Sequence, residues 1–549
     1  MSVNDVPAVR DPSWPARVEI YDTTLRDGSQ LEGISLTVDD KLRIAEQLDW
    51  LGVDFIEAGW PGANPKDDEF FARAPSELTL DTSTLVAFGS TRRVKGKVDS
   101  DDTLRNLLAA NTSTVCIVGK SWDYHVLEAL NTTLDEGVAM VADSVAFLKA
   151  DGRDVMYDAE HFFDGYKRNP EFGMRVLEGA VQAGATRLVL CDTNGGTLPN
   201  EVERIVAEVV AYFGSDAGVA VHLHDDAGTG VANALAGVRG GAIQVQGTIN
   251  GYGERTGNCN LTTIIPNLTL KMGIETIPRD RLERLTPVAH HVAELVNMAL
   301  NPQAAYVGSS AFAHKAGLHV SAIAKRPDAY EHVPPDSVGN GTRFVVSELA
   351  GKSTLTLKSK ELGITLDGPQ LNDLVDTLKR MEHDGYHFEV ADASLELLMR
   401  RATGWEQRWF EVESFRVITD DDDPFSAPVA GAGVTTEATI KVHVDGGRVI
   451  ATAEGNGPVN ALDTALRSAL GDRYPALASV HLTDYKVRVL DTARGTGAVT
   501  RVLVDSTNGD RSWTTIGVSE NIIEASWQAL YDSLVYGLLL GLPDETAGQ

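Results

Sequence analysis

Residues 18–28 read VEIYDTTLRDG. A short apolar run, VEIYD (18–22), leads into a loop in which Arg26 and Asp27 stand side by side. Neighbouring side chains on a strand point to opposite faces. Two adjacent opposite charges that serve one site must therefore lie beyond the strand end, where a loop can turn both toward it. The same order, an apolar run followed by a polar cluster, recurs seven more times. The runs are FIEAG (55–59), LVAF (85–88), TVCIV (114–118), VMY (155–157), LVLC (188–191), AVHL (220–223) and QVQGT (244–248). Amphipathic segments fit between them. DDKLRIAEQLDWLG (39–52) has an acidic start, apolar residues at three-to-four spacing and a closing glycine, and EVERIVAEVVAYFG (201–214) repeats the pattern. Near-continuous apolar strands suit a parallel sheet covered on both faces. Eight such β–α units predict a TIM (β/α)8 barrel. The polar clusters then fall on the face formed by the strand C-terminal ends, where the catalytic groups of such barrels sit.

The whole chain bounds what that barrel does. Its 549 residues exceed one hydrophobic core. A net charge of −30 argues against non-specific nucleic-acid binding and against anionic membranes. Three cysteines, Cys116, Cys191 and Cys259, form no CxxC pair and read as buried free thiols of a reducing cytoplasm. The N-terminal stretch lacks a basic segment followed by an apolar one, so no signal peptide is expected. No apolar run reaches the roughly 20 residues that cross a bilayer.

The barrel is assigned to residues 1–285 and a region of short helices to 286–385, punctuated by NPQAAYVG and RPDAYEHVPPDSVG. A smaller α+β domain is assigned to 386–549, with ITDDDDPFSAPVAGAG (418–433) as a charged loop. Within it, ATIKVHVDGGRVIATAEG reads as a hairpin followed by a helix. DYKVRVLD and VTRVLVDS read as a second strand pair, NGDRSWTTIGV as a turn and ENIIEASWQALYDSL as a helix, giving a weak β-β-α repeat.

VHLHDD places His222 and His224 at i and i+2, hence on one face at the end of the seventh strand. Asp27 after strand one and Asn258 after strand eight are neighbours across the barrel seam. Two imidazoles, a carboxylate and an amide oxygen, with no thiolate, suit Mg²⁺, Mn²⁺, Co²⁺ or Zn²⁺ and leave positions open for substrate. Arg26 brings a permanently charged fork beside that site. Glu160, beside His161, is a candidate to hold a water or proton. Thr193 is a candidate donor to a substrate carboxylate, with a helix N-cap as the alternative. His314, Lys315, His319 and Tyr330 lie outside the barrel, and composition alone reads them as a solvated helix. Arg92, Arg93, Lys95 and Lys97 form a basic loop, either a phosphate contact or simply solvated.

Taken together, DTTLRDG, HLHDD and GTINGYGERTGN resemble the DRE-TIM metallolyases, and within them the acyl-CoA/2-oxoacid condensing group of 2-isopropylmalate, homocitrate and citramalate synthases. Longer stretches, GWPGANPKDDEFF, LVAFGSTRR, GKSWDYHV, YDAEHFFDGYK, LCDTNGGTLP and FAHKAGLHVSAIAK, are most similar to the citramalate branch. The resemblance implies a TIM barrel, helical linker subdomains and a C-terminal regulatory dimerisation domain. It implies condensation of acetyl-CoA with pyruvate, thioester hydrolysis to (R)-citramalate and CoA, and a place in isoleucine synthesis. It maps the metal ligands onto Asp27, His222, His224 and Asn258, and the oxoacid-activating arginine onto Arg26. The carboxylate-binding threonine maps onto Thr193, the active-site glutamate onto Glu160, the general-base histidine onto His319 and its accompanying tyrosine onto Tyr330. It implies a homodimer or larger homo-oligomer in which the linker of one subunit covers the barrel of its partner, so that His319 and Tyr330 act in trans. An amino-acid effector, isoleucine or leucine, is expected at the C-terminal domain. Where relatives often carry Asn-Asp or Asp-Asn after the histidines, this chain carries Asp225 and Asp226. Two other readings stay open: a sibling synthase with another oxoacid, and a non-catalytic amino-acid sensor.

Overall fold

A computed structural model describes residues 10–214, 216–314, 322–323, 326, 330–344, 352–405, 408–420, 435–490 and 492–541. Two compact units emerge, one of residues 1–312 and 331–342, the other of 313–330 and 343–549.

The first unit is built on a closed eight-stranded parallel barrel. Its strands are β1 (Glu19–Asp22), β2 (Phe55–Gly59), β3 (Thr84–Ser90), β4 (Thr114–Lys120), β5 (Asp154–Glu160), β6 (Arg187–Asp192), β7 (Gly218–Leu223) and β8 (Gln244–Gly247). All eight expected strands are present. The ring closes where β1 pairs with β8, Glu19 opposite Gln244 and Asp22 opposite Gly247.

Local chemistry sets the helices. In Val38–Leu51, the Thr37 hydroxyl accepts from the Asp40 N–H at 3.1 Å while Asp40 accepts from the Thr37 N–H at 2.9 Å, a reciprocal cap. Leu42, Ala45, Leu48 and Leu51 bury one face of that helix against the sheet. Gly52 ends it with φ 97°, and a Cβ there would lie 2.7 Å from the Pro278 ring.

Inside the barrel, Tyr21, Phe88, Cys116, Met156, Val189 and Cys191 form their own apolar cluster. An ion pair closes the floor below it: Arg187 meets Glu19 at 2.7 Å, and the Gln244 amide donates to Glu19 at 3.0 Å. The three cysteines are buried free thiols, as expected.

In the second unit the weak β-β-α repeat is corrected to two β-β-β-α units. Strands 410–420, 435–444 and 447–455 precede the helix Pro458–Leu470. Strands 481–489, 500–507 and 512–519 precede the helix Ile522–Leu540. Each repeat had hidden one strand. Phe410–Asp420 carries charged residues on its solvent side, and its end, read as loop from 418, pairs with 435–437. Residues 421–434 of that loop lie outside the described residues. In the second repeat only 508–511 turns the chain, with Asn508 Oδ1 accepting from the N–H groups of Asp510 and Arg511. Ser512–Ser519 then returns antiparallel along 500–507. Among the described residues no helix is long and apolar enough to cross a membrane.

Candidate active site

The loop after β1 is locked in place before it presents any charge. Buried Asp22 accepts from the Thr24 N–H and hydroxyl, both at 2.9 Å, and the Thr24 hydroxyl in turn accepts from the Ile249 N–H at 2.9 Å. The loops after β1 and β8 are thereby fastened together across the seam. Gly247 permits the return of the chain after β8, since a Cβ there would lie 2.5 Å from the Cys259 carbonyl oxygen. That return sets Asn258 opposite His224 in an antiparallel bridge.

Asp27, His222 and His224 converge, with one ligand atom from each within 4.8 Å of the others. His222 Nε2 lies 3.1 Å and His224 Nε2 3.9 Å from Asp27 Oδ2. His222 sits beside Gln246 on β8, and its Nδ1 is 3.0 Å from the Gln246 amide oxygen. An imidazole whose Nδ1–H is taken by a carbonyl-type oxygen presents Nε2 with its lone pair. Asn258 is buried, and among the described residues neither its amide oxygen nor its amide nitrogen has a hydrogen-bond partner; His224 Nδ1 is in the same condition. A buried amide with no partner is costly in a closed protein. Oxygen and nitrogen donors with an unpaired amide oxygen fit a divalent cation of the Mg²⁺ to Zn²⁺ range.

The charges agree with this reading. Burial opposes ionisation of Asp27, but Arg26 and His222 outweigh it and hold the carboxyl well below the ordinary range. Burial, helped by His222, pushes His224 down to about 4, so its ring is neutral at physiological pH. Burial works against charge on His222 as well, yet the bond to Asp27 raises it overall. A cation bound here would take the place of that proton.

Arg26 is positioned by groups that the sequence reading missed. Its Nε donates to Glu57 Oε1 at 2.6 Å, its guanidinium carbon lies 3.8 Å above the centre of the Phe88 ring, and its Nη1 is 3.6 Å from Asp27. Glu57 is wholly buried and also accepts from the Tyr21 hydroxyl at 2.6 Å. A lone acid within FIEAG was the available signal: a charged residue facing the interior of an apolar barrel needs a partner there. Asp158 on β5 is also buried, raised to about 6 by burial and accepting from the Cys116 thiol at 3.1 Å.

Glu160 is paired with Lys120 at the end of β4, a partner not anticipated from sequence. Thr193 is no helix cap, because the following helix starts at Pro199 with Leu198 before it. Its hydroxyl instead accepts from the His161 N–H at 2.9 Å, and its carbonyl accepts from Arg255 at 2.8 Å. Arg255 also forks onto Asp226 at 2.7 and 2.9 Å, which gives the second residue of the Asp225–Asp226 pair a structural task. Trp122, His125 and His161 form an aromatic cluster beside Glu160, with His125 and His161 packed edge to face at 4.6 Å.

The basic loop is corrected in part. Arg92 is buried and committed to Glu136 at 2.7 Å and Asp143 at 2.8 Å, so it is neither solvated nor available to a phosphate. Lys315 and His319 lie outside the described residues. Tyr330 is exposed and belongs, with His314, to the second compact unit.

Comparisons with known proteins agree along most of the chain. Residues 17–292 match the HMGL-like family, 306–385 the homocitrate synthase post-HMGL domain-like family, and 389–538 the LeuA allosteric (dimerisation) domain. The (R)-citramalate synthase of Aquifex aeolicus is 51% identical over 525 residues, covering 95% of this chain and 98% of the relative. That of Streptomyces coelicolor is 52% identical, covering 95% and 96%, and that of Sulfolobus acidocaldarius 43% identical, covering 95% and 97%. The chain belongs to the HMGL-like family, in its (R)-citramalate synthase branch.

Proposed function

We propose that this protein condenses acetyl-CoA with pyruvate and hydrolyses the thioester, releasing (R)-citramalate and CoA. The observation that carries this reading is a buried Asp27–His222–His224–Asn258 donor set beside a clamped arginine, in a chain half identical to citramalate synthases. Asp27, His222, His224 and Asn258 would hold a divalent ion, which when bound supplies Lewis-acid polarisation of the ketone.

The chain's own groups take the remaining tasks. Arg26 donates to the ketone oxygen, which gains negative charge as the new carbon–carbon bond forms. Glu57 and the Phe88 ring prevent the guanidinium from reorganising at that moment. Thr193 donates a hydrogen bond from its hydroxyl to the pyruvate carboxylate. Lys120 balances the charge of Glu160 at the rim. His319, supplied with Tyr330 by a partner subunit, removes a proton from the acetyl methyl group. Water then cleaves the thioester, which makes the condensation effectively irreversible. The acidic chain, with its buried free thiols, is read as a cytoplasmic enzyme of isoleucine synthesis.

The test is CoA release across a panel of oxoacids. Pyruvate should exceed 2-oxoisovalerate and 2-oxoglutarate by at least about tenfold in kcat/KM, a difference of about 1.4 kcal/mol in transition-state binding. A preference for either longer oxoacid would reassign the substrate, and no release from any would revive the sensor reading.

Regulation is the second part of the proposal. The LeuA allosteric (dimerisation) domain match over 389–538 supports allosteric regulation and dimerisation, and the effector we propose is an amino acid, isoleucine before leucine. Removing the chain after about residue 390 is expected to abolish inhibition by isoleucine. Inhibition that persists in the truncated protein would place the effector site elsewhere.

A further inference from the structure

His161 stands between β5 and the helix Phe162–Arg168 with φ 55° and ψ 32°. That left-handed conformation is unfavourable for a residue with a Cβ, and where it persists the surroundings enforce it. Three contacts enforce it here. The His161 N–H donates to Thr193 Oγ1 at 2.9 Å. Its carbonyl accepts the Gly165 N–H at 3.0 Å and so starts the helix. Its ring nitrogen Nδ1 lies 3.3 Å from Asp164, which also accepts from the Asn194 amide at 2.8 Å. The orientation of an N–H relative to the chain that follows it is set by φ. With φ at 55°, one residue can direct its N–H to Thr193 and its carbonyl into the helix. Leaving the left-handed region gives up one of the two.

The consequence falls on the Thr193 hydroxyl. A hydroxyl oxygen that accepts a backbone N–H still carries its own proton to give. Among the described residues, no hydrogen bond takes that proton. We propose that His161 is a positioning residue for the oxoacid: its left-handed backbone turns Thr193 into a dedicated donor toward the substrate carboxylate. The inference rests on the role given to Thr193 above. It assigns the work of His161 to its backbone, not to imidazole chemistry.

Steady-state kinetics of the metal-replete full-length enzyme, with pyruvate and acetyl-CoA varied separately, test both layers. Thr193→Val, which keeps shape and removes the hydroxyl, should raise the pyruvate KM about tenfold, as loss of a bond to a charged group does. His161→Val and His161→Ala, which disfavour the left-handed region, should raise the pyruvate KM about five- to tenfold and leave the acetyl-CoA KM within about twofold. His161→Gly and His161→Asn, which tolerate it, should stay within about twofold of wild type on the pyruvate KM. Melting curves for all five variants identify any that does not fold, and His161→Ala stands in if His161→Val is lost. Gly and Asn variants as impaired as Ala would overturn the inference by placing the work in the ring. An effect of Thr193→Val with none of His161→Ala would overturn it while leaving Thr193 in its role. No effect of Thr193→Val would remove the reading beneath it.

Discussion

Arg26→Ala is expected to lower kcat by about 10²–10³-fold, the range found when a single oxyanion-stabilising donor is removed. The size follows from how the guanidinium is held. Glu57 binds its Nε at 2.6 Å and Phe88 lies under its plane at 3.8 Å, so the donor is in place before charge develops. Metal content should stay near wild type, because Asp27, His222, His224 and Asn258 all remain. Stability should fall, because a buried Glu57 loses its cation and keeps only the Tyr21 hydroxyl, and breaking a buried pair costs up to about 3–5 kcal/mol. Arg26→Lys separates the two effects. It keeps a positive charge near Glu57 but not the planar fork, so it should recover stability better than turnover. Near-wild-type kcat in a metal-loaded Arg26→Ala enzyme would remove Arg26 from the chemistry.

His222→Ala is expected to abolish turnover and metal retention together. The variant removes one nitrogen donor, leaves the Gln246 amide oxygen without its 3.0 Å partner, and leaves Asp27 facing Arg26 and His224. Two readouts are independent of activity. Elemental analysis after desalting should show wild-type protein retaining its ion and the variant losing it. A divalent ion at 100 times its Kd should stabilise the wild type by about 2.7 kcal/mol and raise its Tm, with no shift in the variant. Full metal stoichiometry in His222→Ala would displace the site from these residues.

Much of this arrangement was legible in the chain, and the gaps have physical causes. The barrel was readable because a parallel sheet buried on both faces needs apolar runs of the same short length, each followed by polar groups on one side. The donor set was readable because HLH at a strand end fixes two side chains on one face, and because Asp27 and Asn258 follow strands that must adjoin in a closed ring. Glu57 was overlooked because one acid in an apolar run signals a partner without naming it; Arg26, some thirty residues away, is that partner. Arg92 read as a solvent-facing cation because its neighbours in sequence are basic, while its carboxylate partners come from the helix Leu134–Ala150. The third strand of the second C-terminal repeat was hidden because WTTIGV is rich in hydroxyl and glycine positions, and only pairing with 500–507 makes it a strand; in the first repeat the hidden strand was the first, Phe410–Asp420, whose charged residues face solvent.

The seam between β1 and β8 has a consequence for how the molecule comes into being. Asp27 is made early, and the residues that complete its surroundings, His222, His224 and Asn258, follow some 200 residues later in synthesis. The nascent chain therefore carries one of the four proposed donors long before the other three are made. Contacts of such sequence separation are slow to form, because the loop entropy is lost before the contact stabilises anything. An ion held by Asp27, His222, His224 and Asn258 would join residues that follow the first and last strands, and part of its binding free energy would become resistance to opening at that joint. The proposed catalytic centre would then also be the clasp.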